Sequence, residues 1–495
     1  MTGSLRQQLG FYLGVVLFAI VLFLPVPEGL SVEGKRAAAV ALLMAVWWIS
    51  ESLPIAATAL VPLALYPLLS IMSMPETAER YADPVIFLFM GGFMLALAMQ
   101  KWDLHKRIAF FVIALVGGGL RRMLFGFMLA TFLISMWVSN TATAVMILPI
   151  AIAVTQELGL AETKGRETGF RIALMLAIAY AASIGGLGTL IGSPPNMIFA
   201  GQAKALLPGS AEIDFTRWFL FGFPVALGFL LITWAYLAIV VARGAPKINT
   251  NRELIREKLK TLGPCSRGEL SVMIVFGLTV IAWITRENIS AGSFTLPGWT
   301  NLLGLKGVHD GTVAIAAALV LFITPVSFKK REFLLDWNWA AKIPWEVLLL
   351  FGGGFALAES FQMTGLAAWL GKGFGFLNGL PLPLLLFILC AATTFLSELM
   401  SNTAQITMML PVLAAAAPTL GVHPYLLMIP ATFAASLAFM MPVGTPPNAI
   451  VFGSGYLTIP QMAKTGFILN LLGALWITFM TLAWIMPMLG VGTAY

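Results

Sequence analysis

Two short polar triplets sit inside long apolar runs. The first opens "SNTATAVMILP" at Ser139 and the second opens "SNTAQITMMLP" at Ser401. Seven of the eleven positions are identical, and the copies stand 262 residues apart. Asn, Ser and Thr side chains both donate and accept hydrogen bonds. They can grip an anion through their donors or a small hard cation through their oxygens. Two such triplets in matched frames point to one site built from two halves.

A second pair of motifs lies downstream. "GSPPN" begins at Gly192 and "GTPPN" at Gly444, 252 residues apart. Their surroundings, "AASIGGLGTLIGSPPNMIF" (181–199) and "AASLAFMMPVGTPPNAIVF" (434–452), are apolar like membrane helices but carry breakers. Proline removes a backbone donor, and the residue before it avoids helical geometry. Each run is therefore expected to be a helix that breaks. Broken backbone in a bilayer survives only where it is buried in protein or lines a cavity. Free helix N-termini attract anions, and free C-termini with unwound carbonyls suit cations. The four loops contain no Arg, Lys or His. A dianion there must be neutralised by helix ends and by co-bound cations, which predicts cation-coupled anion transport. A lone triplet could be interhelical glue, and a lone proline a packing kink. Two of each, with every break downstream of its own triplet, favour a site.

The elements that must hold these loops follow from composition. The 495 residues are 59% hydrophobic and only 10% charged, against about 25% charged for a soluble domain. This is a polytopic membrane protein. Continuous rather than alternating apolar runs exclude a β-barrel. At about 20 residues per span, candidate spans lie near 11–26, 36–52, 54–70, 84–100, 170–208, 217–242, 269–285, 311–328, 344–362, 424–457 and 465–488. Interfacial stretches are expected after 100 and over 363–378. The triplet segments, 121–158 and 382–418, are expected to be re-entrant. The fold expected is all-α, with about eleven transmembrane helices plus two re-entrant helical hairpins. "FYLGVVLFAIVLFLPV" imitates a signal peptide, but no small-residue cleavage site clearly follows it, so it reads as an uncleaved first helix.

With the N-terminus cytoplasmic and both triplet segments re-entrant, 21 of the 29 basic residues fall inside. That satisfies the positive-inside rule and places the C-terminus outside. The halves then match in order. "GGFMLALA" at Gly91 pairs with "GGFALAES" at Gly353, Ser135 with Ser397 and Pro149 with Pro411, all 262 apart. One hairpin enters from each face, so the repeat is inverted. Inverted repeats with interrupted helices are the signature of secondary transporters.

Other groups carry less. Glu51, Glu346 and Glu359 fall near span ends, where solvation is expected. Glu398 follows Ser397 near a hairpin tip, and a structural role is favoured there over proton transfer. His105, His309 and His423 fall in loops or at interfaces and read as solvated. Cys265 and Cys390 have no metal or redox spacing. The basic run 243–267 reads as a cytoplasmic surface helix joining the halves. No nucleophile–base pair or metal cluster stands out, so an enzyme is not expected, and so little aqueous mass makes nucleic acid implausible. A channel would need a continuous polar pathway, whereas these loops converge at one depth.

The paired triplets, the paired broken helices and "MPVGTPPNAIVF" together resemble the divalent anion/sodium symporter family, including its dicarboxylate transporters of the "I'm not dead yet" type. The resemblance covers essentially the whole chain. It implies a homodimer of elevator type, with a scaffold and a mobile transport domain in each protomer. Scaffold helices and arm helices would occupy 1–120 and 269–380. The first hairpin and broken helix would occupy 121–210, a transport-domain helix and linker 211–268, and the second hairpin, broken helix and last helix 381–495. One co-transported sodium ion would be held by Ser135, Ser139, Asn140 and the Gly192 carbonyl. Its counterpart would be held by Ser397, Asn402, Gly444 and a carbonyl near Met400. Substrate carboxylates would meet Asn140, Thr141, Ser193 and Pro194 from one half, and Asn402, Thr403, Thr445 and Pro446 from the other. Sodium-independent exchangers of the family would be expected to place a basic side chain near a cation position. This chain keeps Ser135 and Ser397 instead. Gln405, opposite Thr143 in the repeat, is expected to bear on substrate size. The function implied is sodium-coupled symport of C4-dicarboxylates (succinate, malate or fumarate) across an inner membrane. The alternatives are dicarboxylate or citrate exchange and sodium/sulfate symport.

Overall fold

The structure, a computed structural model, describes residues 5–116, 119–157, 168–210, 212–243, 259–291, 294–305 and 307–490. Most of the expected surface helix over 243–267, and Lys164 and Arg166 of the neighbouring basic cluster, lie outside the described residues.

The chain is overwhelmingly helical. Two short antiparallel strand pairs modify the all-α expectation: Ile289–Ala291 with Phe294–Leu296, and Pro325–Ser327 with Glu332–Phe333. Among the described residues six helices are long and apolar enough to cross a membrane, or seven if one bent pair counts as a span. Several expected spans are shorter or interrupted. The span expected at 54–70 divides into Ile55–Ala59 and Val61–Leu68. Pro62 brings no N–H with which to continue the first piece. Helix Trp345–Met363 turns by 75° into Leu366–Leu377. Gly365 makes that corner at φ +71°, a left-handed conformation that costs glycine nothing.

Both triplet segments fold as helix–turn–helix. The arms are Leu120–Ser135 and Asn140–Glu157 in the first half, and Leu382–Ser397 and Asn402–Thr419 in the second. All four ends repeat at the 262-residue offset. Both downstream helices break. Thr168–Gly186 resumes as Pro194–Leu206, and Tyr425–Ala435 resumes as Pro446–Phe452. Pro194 and Pro446 occupy first helical positions, where proline's fixed φ fits and its missing N–H is no loss.

The halves seat each other reciprocally. A Cβ on Gly91 would lie 2.6 Å from the Ala314 main chain, and one on Gly353 would lie 2.5 Å from the Ala59 carbonyl oxygen. A repeated glycine of each half thus admits a helix of the other. Gln202 Nε2 adds buried bonds to the carbonyls of Gly354 (2.9 Å) and Thr407 (3.0 Å), tying the first broken helix to the second half.

Some isolated groups differ from expectation. His105 is buried, its Nδ1 3.0 Å from the Met99 carbonyl, because its helix turns that face into the bundle. His309 and His423 are helix-start acceptors, for the Gly311 and Tyr425 N–H groups. Glu359 is partly buried and pairs with Arg80 at 3.8 Å. Arg286 anchors a buried cluster just beyond its span. Its Nε donates to Asp310 (2.6 Å), and an Nη lies 3.3 Å from Asp214, the N-cap of helix Phe215–Tyr236.

Two expectations follow. Gly91→Ala and Gly353→Ala should each cost on the order of 1–3 kcal/mol by overpacking. Gly277→Ala, whose Cβ meets nothing within 4 Å, should be neutral or mildly stabilising. Thermal unfolding in detergent reads both. At Asp214, burial pushes the carboxyl up to about 6 from 3.8, reinforced by Asp310 and Glu287 and opposed by the Arg217 N–H and Arg286. A raised folded value means stability falls as pH rises between those two values. Asp214→Asn keeps the N-cap, so it should unfold at a higher temperature than wild type at pH about 7.5, with the gap closing toward pH about 4. The reverse order would mean that the Arg286 pair outweighs burial.

Candidate substrate and cation site

The four polar loops meet at one cavity of about 630 Å³. Its lining takes Ser139, Asn140 and Thr141 from the first hairpin and Gly192, Ser193 and Pro194 from the first break. It takes Ser401, Asn402 and Thr403 from the second hairpin and Gly444, Thr445 and Pro446 from the second break. All eight residues expected to meet substrate therefore face a common space. Of those expected to hold sodium, Ser139, Asn140, Gly192, Asn402 and Gly444 line it, while Ser135 and Ser397 sit just behind. Met400 is buried and does not line the cavity. Three charged residues border it, Glu51, Lys342 and Glu346, all exposed. Phe89, Phe93 and Leu97 supply an apolar wall.

Each half contains the same oxygen cluster. Ser135 Oγ lies 2.7 Å from Asn140 Oδ1 and 2.7 Å from the Ala182 carbonyl. Ser397 Oγ lies 2.6 Å from Asn402 Oδ1 and 2.5 Å from the Ala435 carbonyl. A hydroxyl has one proton to give. Three oxygens share it, which leaves lone pairs facing one another. Both carbonyls belong to C-terminal ends of half-helices, where the partial charge is negative. That donor set suits a small hard cation.

The broken-helix starts behave differently from expectation. Pro194, Pro195, Pro446 and Pro447 carry no N–H, so these helix starts offer fewer backbone donors to an anion than ordinary ones. Ser193 and Thr445 are extended N-caps whose side chains make no capping bond. Their hydroxyls remain for another partner, and Thr445 Oγ1 is buried without one among the described residues.

The last letter of each repeated motif matters more than the sequence reading allowed. Asn196 Nδ2 donates to the carbonyls of Gly186 and Thr189, both at 2.8 Å. Asn448 Nδ2 donates to those of Ala438 and Met441, both at 3.0 Å. These amides hold the unwound segments in shape. The signal was their identity in both copies of G-[ST]-P-P-N.

Gln405 does not face the cavity. It is fully buried, and its Nε2 reaches the Thr393 carbonyl at 2.9 Å, bracing the two arms of the second hairpin. A role in substrate size is not what its position supports. Glu398 is also structural. Its carboxylate accepts the Met440 N–H (2.8 Å), the Met441 N–H (2.9 Å) and Asn470 Nδ2 (2.8 Å). It thereby pins the second unwound segment.

The family model described as "Sodium:sulfate symporter transmembrane region" matches residues 6–491. The chain belongs to that family. It is a multi-pass membrane transporter, not an enzyme. Among its relatives is the sodium-dependent dicarboxylate transporter SdcS of Staphylococcus saprophyticus, 42% identical over 99% of this chain and 93% of that protein. SdcS of Staphylococcus aureus is 43% identical over 98% of this chain and 92% of its own. Two solved structures share the fold at low identity. The YdaH transporter of Alcanivorax borkumensis has TM-score 0.57 at 16% identity, covering 97% of this chain and 96% of its own. MtrF of Neisseria gonorrhoeae has TM-score 0.57 at 11% identity, covering 96% and 94%.

Glu398→Gln exchanges one carboxylate oxygen for an amide and leaves a buried donor facing a donor. It should destabilise this protein by about 1–3 kcal/mol, read as a lower unfolding temperature in detergent. No change would remove Glu398 from its structural role.

Proposed function

We propose that this chain is a sodium-coupled symporter of C4-dicarboxylates such as succinate, malate or fumarate, in a bacterial inner membrane. One observation carries the reading: two equivalent oxygen clusters flank a single cavity whose polar loops hold no basic side chain. The Staphylococcus relatives, named as sodium-dependent dicarboxylate transporters, support the same pairing of ion and anion.

In this reading one sodium ion sits among Ser135, Ser139, Asn140 and the Gly192 carbonyl. The second sits among Ser397, Asn402, Gly444 and a carbonyl near Met400. The dicarboxylate bridges the halves, with Asn140, Thr141, Ser193 and Pro194 at one end. Asn402, Thr403, Thr445 and Pro446 meet the other. Asn140 and Asn402 belong to both ion and anion shells, which links the two occupancies. A linear dianion with separated carboxylates suits two polar half-sites better than a compact one, which favours dicarboxylate over sulfate.

The two hairpins, the broken helices and helices Phe215–Tyr236 and Ile459–Met480 form the mobile transport domain of an elevator. The remaining helices form its scaffold, and two protomers associate through that scaffold. With the N-terminus cytoplasmic and the C-terminus outside, Glu51, Lys342 and Glu346 lie at the cytoplasmic end of the cavity. The arrangement then corresponds to an inward-facing state.

The test is uptake of labelled succinate into proteoliposomes. Uptake into empty vesicles should require sodium and fail when potassium replaces it. Asn140→Ala and Asn402→Ala, folded and monodisperse, should each lower uptake by about tenfold or more, in line with the loss of hydrogen bonds to charged groups. Uptake only into preloaded vesicles, indifferent to sodium, would make the protein an exchanger. Sulfate uptake without succinate uptake would leave the cation sites standing and change the anion.

A further inference from the structure

We infer that Ser183 and Ser436 supply two further sodium ligands, one in each half of the site. The inference rests on the sodium-coupled reading above and extends its ion shells to residues outside the repeated triplets.

Most hydroxyls buried in this bundle find a partner, often in their own helix, although Thr58, Thr143, Thr233, Thr393 and Thr445 also lack one among the described residues. Thr131, Thr155, Thr407 and Thr432 all donate to the carbonyl four residues back. Ser183 and Ser436 do not. They are 1% and 2% exposed, and neither Oγ has a hydrogen-bond partner among the described residues. Leaving a buried hydroxyl unpaired is unfavourable, so two such groups at equivalent places call for an explanation.

Their places are equivalent. Ser183 follows Ala182, whose carbonyl faces Ser135 Oγ, and Ser436 follows Ala435, whose carbonyl faces Ser397 Oγ. Each serine is therefore the next residue along from an oxygen cluster that holds too few protons. Each also lies at the C-terminal end of a half-helix: Ser183 in the last turn of Thr168–Gly186, Ser436 as the cap of Tyr425–Ala435. Half-helix C-termini and unwound carbonyls are where transporters place sodium. Ser183 also lines the cavity itself. A cation drawn to the Ser–Asn–carbonyl cluster would give each unpaired hydroxyl an oxygen-to-metal bond, and each hydroxyl would complete a hard-oxygen shell.

The experiment compares wild type with Ser183→Ala, Ser436→Ala, Ser183→Thr and Ser436→Thr. Two readouts are taken: the sodium dependence of succinate uptake, and the sodium-induced rise in unfolding temperature without substrate. In each alanine variant the half-saturating sodium concentration should rise by about fivefold or more, and the sodium-induced thermal shift should shrink. The threonine variants, which keep the hydroxyl, should recover both. In sodium-free buffer the alanine variants should unfold no earlier than wild type, because the hydroxyl bonds to nothing there. The inference is overturned if half-saturating sodium stays within about twofold of wild type in both alanine variants. It is equally overturned if they unfold early without sodium while the sodium shift survives, which would mark a packing role. A wild type that ignores sodium in both readouts would sink the symport reading and this inference with it. A sodium-dependent wild type with unaffected variants would sink this inference alone.

Discussion

A hydroxyl proton cannot serve two acceptors at once, and both halves of the site are organised around that shortage. Ser135 and Ser397 each stand between an amide oxygen and a main-chain carbonyl. Such a cluster needs its three contributors brought together without water to intervene. The amide comes from the start of one helix, the hydroxyl from the end of the preceding arm, and the carbonyl from a broken helix. Inside a bilayer any backbone group released by that break must find a partner in the protein. Asn196 and Trp218 Nε1 serve the first unwound segment, and Thr189 Oγ1 ties it to the Met136 carbonyl at the hairpin turn. Glu398, Asn448, Asn470 and Tyr180 serve the second. Much of the buried polarity beyond the cavity exists to keep those oxygens converged.

The repeat is faithful in the two oxygen clusters and unfaithful around them. The clusters themselves match residue for residue. The supports differ. Met136 lends its main-chain carbonyl to Thr189, whereas its counterpart Glu398 uses a carboxylate to gather two N–H groups and an amide. A Cβ on Gly444 would lie 2.7 Å from that carboxylate. The second half therefore carries a charged group beside its polar loops that the first half lacks. Thr143 and Gln405 differ in the same way, by how the hairpin arms are braced rather than by what faces the cavity. In the proposed reading, two ion sites with the same ligands but different electrostatic surroundings need not bind sodium equally tightly.

Much of the site was legible in the sequence because polar residues in an apolar frame are conspicuous. The triplets, the G-[ST]-P-P-N pair and Ser135 with Ser397 announced themselves by type and by offset; the loops line the cavity and the two serines sit just behind it. Asn196 and Asn448 were visible but silent, since a side chain that satisfies carbonyls looks like any other asparagine until the backbone path is known. Ser183 and Ser436 lie in runs of alanine, where a serine reads as a small packing residue. Gln405 misled for the opposite reason: a broken symmetry at a helix start suggested the cavity, but one residue of helical rotation turns a side chain by about 100°. The span count was the least legible feature. Hydropathy counts apolar residues, and it does not register where a proline or glycine splits them between two short helices, as at Leu60 and Gly365.

The absence of basic side chains from the polar loops has a thermodynamic consequence for transport. An arginine in the site would hold a dicarboxylate equally well with or without an ion, and would hold it still when the substrate had to leave. In the proposed mechanism the positive charge arrives with the cargo. The anion's affinity then depends on whether the oxygen clusters are filled, and by linkage the anion must strengthen ion binding by the same factor. Once sodium departs into a sodium-poor compartment, the hydroxyls, amides and proline-started helix ends that remain are too weakly polar to retain a dianion. Release needs no separate trigger, because removing the ion removes the counter-charge. In that mechanism each cluster straddles the cavity lining, with Asn140 and Asn402 in it and Ser135 and Ser397 just behind. Asn140 and Asn402 can then face an ion on one side and the substrate on the other, so that neither shell is complete while the other is empty.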